Sequence, residues 1–155
     1  MEKTLVLLKP GAVQRGLIGE ITGRFERKGL RLAGLKMMQL SDELLDEHYS
    51  HLVERPFFPH VKNSMKASPV IACCYEGVDA VQTVRNMAGA TNSRLATVGT
   101  IRGDFAMSSQ ENIIHTSDSV ETAAVEVARF FKPEELFDYK LALADYIYSK
   151  DEQKL

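Results

Sequence analysis

His115 closes a short apolar run that begins at Asn112, and Ser117, Asp118 and Ser119 follow it, all residue types that favour the cap position of a helix. Glu121 stands three after Asp118, the spacing of a capping box. The pattern predicts a strand that hands over to a helix at His115. The first amides of such a helix lack partners within it and form a seat for an anion such as a phosphate. An imidazole at that seat can act as a nucleophile, carrying a phosphoryl group between a donor and an acceptor. It must be neutral when it attacks, with its ring fixed by a hydrogen bond at the other nitrogen. Glu126, about two turns into the following helix, is the candidate for that bond. Taken alone, the segment also reads as a strand end packed beside a cap, with Glu126 a surface carboxylate.

Four cations stand outside regular helix-surface patterns or at element ends: Lys9, Arg55, Arg85 and Arg102. Singly, each reads as a solvated charge. Together with a histidine at a helix start they suggest polyphosphate recognition, for which guanidinium forks and a lysine point charge are suited. No Gly-rich run ends in Gly-Lys-Ser or Gly-Lys-Thr, and there is no Asp-Phe-Gly signature, so the phosphate chemistry has to run by a route other than a P-loop or protein-kinase site. His48 and His51 lie in a polar helical stretch and His60 in an irregular segment, and all three are expected on the surface. Cys73 and Cys74 are adjacent in an apolar strand and point to opposite faces, a poor metal clamp and a poor disulfide. No Cys/His spacing resembles a zinc site.

Length and composition frame these residues. A chain of 155 residues fits one domain, 1–155, able to bury a core without staples. Hydrophobic and charged contents of 45% and 26% are those of a globular protein, and a net charge of -2 argues against a general nucleic-acid coat. The N-terminal apolar run, Thr4 to Leu8, is too short for a membrane span or a signal-peptide core. The expectation is a cytoplasmic protein with no membrane partner.

The elements that must position the candidates alternate along the chain. Strands are expected over Thr4 to Leu8, Arg31 to Met38, Pro69 to Tyr75 and Asn112 to His115. Between them come a helix with Leu17, Ile18, Ile21 and Phe25 at helical spacing, a helix from Ser41 and Asp42, a partly helical segment from Pro56 to Lys66, and a helix over Val78 to Met87. Gly89 to Gln110 has little periodicity beyond a short turn of helix at Ile101 to Phe105, and a connection this long usually serves function or assembly. The last helix is expected to bury Val120, Ala124, Val127 and Phe131. This order contains the split βαβ repeat and predicts a ferredoxin-like α+β sandwich, an antiparallel four-stranded sheet (βαββαβ) covered by helices.

The blocks TLVLLKPGAVQRGLIGEI, HYSHLVERPFF, GTIRGDF, NIIHTSDS, FKPEEL and DYIY, in this order and spacing, make the chain resemble the nucleoside diphosphate kinase family along nearly all its length. The resemblance implies a phosphohistidine enzyme that moves the terminal phosphate of a nucleoside triphosphate onto a nucleoside diphosphate in two half-reactions. It implies His115 as nucleophile, Glu126 as its orienting carboxylate, and Ser117 as the hydroxyl bonded to that glutamate. Lys9 and Tyr49 match residues beside the transferred phosphate. Arg85, Thr91 and Arg102 match residues that hold phosphates, Lys9 and Asn112 those that bind sugar hydroxyls, and Phe57 the aromatic on which the base stacks. Magnesium is expected to arrive with the nucleotide, with no metal held tightly by the free protein.

The tail from Lys132 to Leu155 resembles that of hexameric members, so the expected partners are nucleotides and further copies of the chain in a hexamer, with no nucleic acid required. Thr116, Gly11, Ser93 and Val98 depart from the family pattern. Thr116 places a β-branched residue beside the nucleophile, and Ser93 and Val98 replace prolines in the long loop. Two other readings are a family member that binds nucleotide or single-stranded nucleic acid without turnover, and a ferredoxin-like domain of unrelated function. A nucleophile with its orienter has no purpose in the first, and the ordered motifs speak against the second.

Overall fold

Five consecutive residues of the first strand, Thr4 to Leu8, are fully buried, without the alternation of a sheet that faces water on one side. The reason is that both faces of the sheet are covered. The structure, a computed structural model, describes residues 1–154. In chain order the elements are β1 (Glu2–Leu8), α1 (Pro10–Gln14), α2 (Ile18–Lys28), β2 (Arg31–Met38), α3 (Asp42–His48), α4 (Phe58–Lys66), β3 (Val70–Gly77), α5 (Ala80–Ala88), α6 (Ile101–Phe105), β4 (Ile114–Thr116) and α7 (Val120–Phe130). The four strands pair antiparallel in the order β2-β3-β1-β4, the ferredoxin-like arrangement anticipated from the element order.

Alternate residues of each strand feed separate cores. Val6, Leu8, Cys73 and Tyr75 pack with Ile21 and Phe25 of α2 and Val84 of α5. Leu5, Leu7, Ala72 and Cys74 pack with Leu45 of α3, Met65 of α4, and Val127 and Phe130 of α7. Cys73 and Cys74 thus lie on opposite faces, as strand geometry requires, and burial pushes the thiol of Cys73 up to about 12 and that of Cys74 up to about 11.

Four features depart from the expectation. Helix α1 is not predicted by periodicity, because its five residues are too few to show one, although Pro10 at its first position is a recognised start. Strand β4 begins at Ile114 rather than Asn112, because Ile113 takes a positive φ of 62° and Ile114 N–H bonds Asn112 C=O at 2.8 Å, closing a tight turn. Helix α7 is rotated from the expected face. Val120 is 49% exposed and Ala124 is exposed, while Ala123, Glu126, Val127 and Phe130 turn inward at the i, i+3, i+4, i+7 spacing. Both faces satisfy helical spacing, and the inward one carries Glu126 into the protein. Ser119 caps this helix by accepting the Thr122 N–H, so the cap sits one residue beyond the Asp118–Glu121 box read from the sequence.

The two positions lacking proline differ in cost. Val98 is 85% exposed, whereas Ser93 is buried and its N–H donates to Ser108 C=O at 3.4 Å. Val98→Pro is expected to stabilise the protein by about 0.4–1 kcal/mol through the unfolded chain, raising Tm by about 1–4 °C. Ser93→Pro should gain less, since it deletes a used N–H. Calorimetric scans of both variants check the order; a larger gain at position 93 would refute the assignment.

Candidate active site

A cleft of about 780 Å³ gathers residues from across the sequence: Lys9, Tyr49, Arg85, Thr91, Arg102, Asn112 and His115 all line it. Lys9 follows the end of β1, and its N–H donates to Ile113 C=O at 2.9 Å. Its ammonium donates to Asn112 Oδ1 at 2.7 Å, and the Asn112 amide donates to Thr91 C=O and Ser109 C=O. Burial, with Arg102 nearby, pushes the Lys9 ammonium down to about 8, against a smaller opposing pull from Glu111.

Arg102 is a buried guanidinium in α6. It donates to Gly89 C=O at 2.7 Å and to Ile114 C=O at 2.7 Å, which fastens the end of α5 to the strand that carries His115. Burial and Arg85 push it down to about 10, still cationic at neutral pH. Gly89 has a φ of 86°, and a Cβ there would collide with Thr100, so the loop passes close over α6 only because this residue is glycine. Arg85, in the last turn of α5, and Thr91 are exposed at the cleft rim.

His115 Nε2 lies 2.9 Å from Glu126 Oε2. Burial works to raise the Glu126 carboxyl, but the hydrogen bond and charge of His115, helped by the Ser117 hydroxyl, outweigh it and hold the group well below the usual carboxylate range. An ionised carboxylate only accepts, so Nε2 carries a proton toward it, and in the neutral ring Nδ1 holds the free lone pair. Ser117 is fully buried and extends the β1–β4 ladder by a side chain: its N–H donates to Leu5 C=O and its Oγ accepts the Leu5 N–H, both at 3.2 Å. That leaves the hydroxyl hydrogen free for the carboxylate. Glu126 Oε1 itself has no partner of good geometry.

His48, expected on the surface, is 6% exposed and belongs to the site. It ends α3 on the same face as Leu45, and its ring meets that of His115 edge-on at 4.7 Å. Its Nδ1 faces the Arg129 guanidinium at 3.2 Å, so Nδ1 accepts and the ring is neutral. Burial first, then His115 and Arg129, hold its pKa down despite Glu126. A signal was present: His48 stands three after Leu45, the inward spacing. His51 and His60 are exposed, as expected. Tyr49 is half-buried beside His48, and burial together with Glu126 pushes its hydroxyl up to about 12.

Two sequence candidates stand apart from the cleft wall. Phe57 is 44% exposed before the first turn of α4, and Arg55 is exposed two residues earlier. Thr116 sits in β4 opposite Val6, an extended position that suits a β-branched residue. The unusual backbone is at Ile113 instead, where a buried β-branched residue in the left-handed region stores strain of order 1–3 kcal/mol.

An imidazole held by a carboxylate, facing three cations, is suited to receiving a phosphoryl group from a polyphosphate. Known proteins agree with this chemistry. The family model described as nucleoside diphosphate kinase matches residues 2–136. The nucleoside diphosphate kinase of Parabacteroides distasonis is 62% identical over 152 residues, covering 98% of this chain and 99% of that protein. Nucleoside diphosphate kinase A of Rattus norvegicus is 51% identical over 147 residues, covering 95% and 97%. Among solved structures, the halophilic nucleoside diphosphate kinase of Halobacterium salinarum in complex with CDP superposes with a TM-score of 0.93 at 41% identity, covering 96% of this chain and 99% of that one. With the family model, the fold and the similarity over nearly the full length all in agreement, the chain belongs to the nucleoside diphosphate kinase family.

Proposed function

We propose that this phosphotransferase works in two half-reactions through His115, and the observation that carries the reading is the Nε2 to Glu126 contact at 2.9 Å beside a cationic cleft. The Nδ1 lone pair attacks the terminal phosphorus of a nucleoside triphosphate. The bond from that phosphorus to the bridging oxygen breaks, and the diphosphate leaves with the electron pair. The phosphorylated ring keeps its Nε2 proton, and the Glu126 carboxylate offsets the positive charge that develops. In the second half, a terminal oxygen of another nucleoside diphosphate attacks the phosphorus and the electron pair returns to Nδ1. No proton is gained or lost overall.

Lys9 and Tyr49 stabilise charge on the transferred group and the leaving oxygen. Arg85, Thr91 and Arg102 hold the phosphates, and Lys9 and Asn112 meet the sugar hydroxyls. Phe57 offers an exposed ring on which any base can stack, which favours broad nucleotide choice. Asp118 is the cleft's one lining carboxylate among the described residues, too few for a magnesium cage, so the substrate is the magnesium nucleotide. Incubation with terminally labelled ATP and magnesium should give an acid-labile, base-stable phosphoprotein that discharges onto GDP.

Lys9 gives this reading a pH signature. The free protein loses the Lys9 proton near pH 8, and bound phosphates raise that pKa by adding negative charge. Nucleotide binding should therefore take up as much as one proton above pH 8, and affinity should fall as the pH rises past that point. Titration calorimetry in buffers of different ionisation enthalpy checks the sign; proton release would refute it.

We further propose a homohexamer in the cytoplasm. The edge strand β2 exposes Leu35 at 54% and Met37 at 59%, and the long loop exposes Leu95 and Met107 at 76% each, which favours burial against other copies. Light scattering should return a mass near six chains, and a monomer would end this part of the reading. Cell fractionation tests the location.

A further inference from the structure

His115 stands between two cavities of opposite charge. The phosphate cleft carries Lys9, Arg85 and Arg102 against the single carboxylate of Asp118. On the other side lies a cavity of about 610 Å³ whose wall carries Glu47, Asp118, Glu121 and Glu126 against the single guanidinium of Arg129. The second, acidic cavity shares Tyr49, His115 and Glu126 with the phosphoryl-transfer site, and its remaining carboxylates have no part in holding phosphates. On its wall His48, His115 and Glu126 each bring a ligand atom within 4.8 Å of the others. Glu126 Oε2 lies 2.9 Å from His115 Nε2 and 3.5 Å from His48 Nδ1.

These spacings suit a metal ion. Zinc bonds of about 2.0–2.1 Å in tetrahedral geometry separate neighbouring ligand atoms by about 3.3 Å, so the two pairs made by Glu126 already fit and the imidazole pair has to draw together. His48 also keeps a buried ring nitrogen, Nε2, without a partner, in a side chain that is 6% exposed. Arg129 Nη1 lies against His48 Nδ1 and has to withdraw, and Glu47, 3.2 Å from its Nε on the exposed side, offers it somewhere to go.

We propose that His48, His115 and Glu126 form a site for a zinc-type divalent cation, reached through the acidic cavity, which switches the enzyme off. Two imidazoles and a carboxylate match borderline metals, with the fourth position left to water from the cavity. Magnesium, which demands octahedral oxygen ligands, does not suit it. A cation on His115 Nε2 takes that nitrogen's lone pair, so the single proton of the neutral ring moves to Nδ1. The nitrogen that would attack phosphorus then has no free lone pair. No proton leaves the ring and nothing is oxidised. This consequence rests on the proposed function, whereas the site itself does not. The sequence spacing gave no hint of it, because the ligands come from α3, β4 and α7.

The test is equilibrium dialysis of the full chain against zinc alone, with the imidazole NMR signals followed in parallel. The chain has four histidines. One zinc per chain should bind, shifting the rings of His48 and His115 and leaving His51 and His60 unmoved, while magnesium at the same concentration shifts none. His48→Gln and Glu126→Gln should each weaken zinc binding at least about tenfold. Shifts at His51 or His60 instead, no retained zinc, or unchanged affinity in both variants would overturn the site. If zinc binds as described but labelling by ATP continues undiminished, the switch is wrong. A protein that never labels even without zinc refutes the phosphoryl-transfer reading instead.

Discussion

Replacement of His115 by alanine is expected to abolish the labelled phosphoprotein and to lower kcat by a factor of at least ~10⁴, the order seen when a covalent nucleophile is removed. The same change takes the 2.9 Å donor from Glu126 Oε2 and leaves the buried carboxylate with the Ser117 hydroxyl alone. An unsatisfied buried group costs about 1–3 kcal/mol, so the variant should also melt lower. His115→Asn separates the two effects. Its amide can donate toward Glu126 but cannot carry phosphate at neutral pH, so it should recover part of the lost stability and none of the activity. Labelling that survives in either variant would move the nucleophile elsewhere.

Arg102→Ala should damage both fold and function. The guanidinium is 8% exposed and makes two hydrogen bonds of 2.7 Å to the carbonyls of Gly89 and Ile114. Bonds from a charged donor are worth about 1.5–3 kcal/mol each, and without it both carbonyls lose a partner. A loss of about 3 kcal/mol is expected, lowering Tm by roughly 6–12 °C for a chain of this size. The carbonyl of Ile114 directly precedes His115, so the strand that presents the nucleophile loosens as well. On the proposed function, removal of a cation assigned to the phosphates should cost a further ~10²–10³ in kcat/KM. Arg102→Lys keeps the charge but cannot span both carbonyls, so it should fall between. Thermal melts with and without ADP, beside steady-state kinetics, read the two effects separately. An unchanged melting temperature would show that the bridge is not structural.

The candidate groups were legible in local sequence, while the identity of the chemistry came from the resemblance of ordered blocks along nearly the whole chain. A histidine before a helix cap, a carboxylate two turns on, and cations at element ends are short-range patterns, and so is the alternation that assigns Cys73 and Cys74 to opposite faces. The strand and helix order, and with it the ferredoxin-like sheet, follows from the same periodicities.

What escaped that reading depends on contacts between distant segments. Helix α7 has two faces of equal periodic merit, and only docking against β1 and α3 selects the one that buries Glu126. His48 looks like a surface residue until α3 lays it against His115, 67 positions away in the chain. Strand β4 could not be given its true start, because the positive φ of Ile113 is imposed by its burial and by the hydrogen bond from Lys9, against the residue's own preference. Sequence by itself determined which groups are available and which elements carry them, since both depend on neighbours along the chain. Tertiary structure alone decided that His115 has a cationic side and an acidic side, because those charges come from five separated elements whose placement is set by packing.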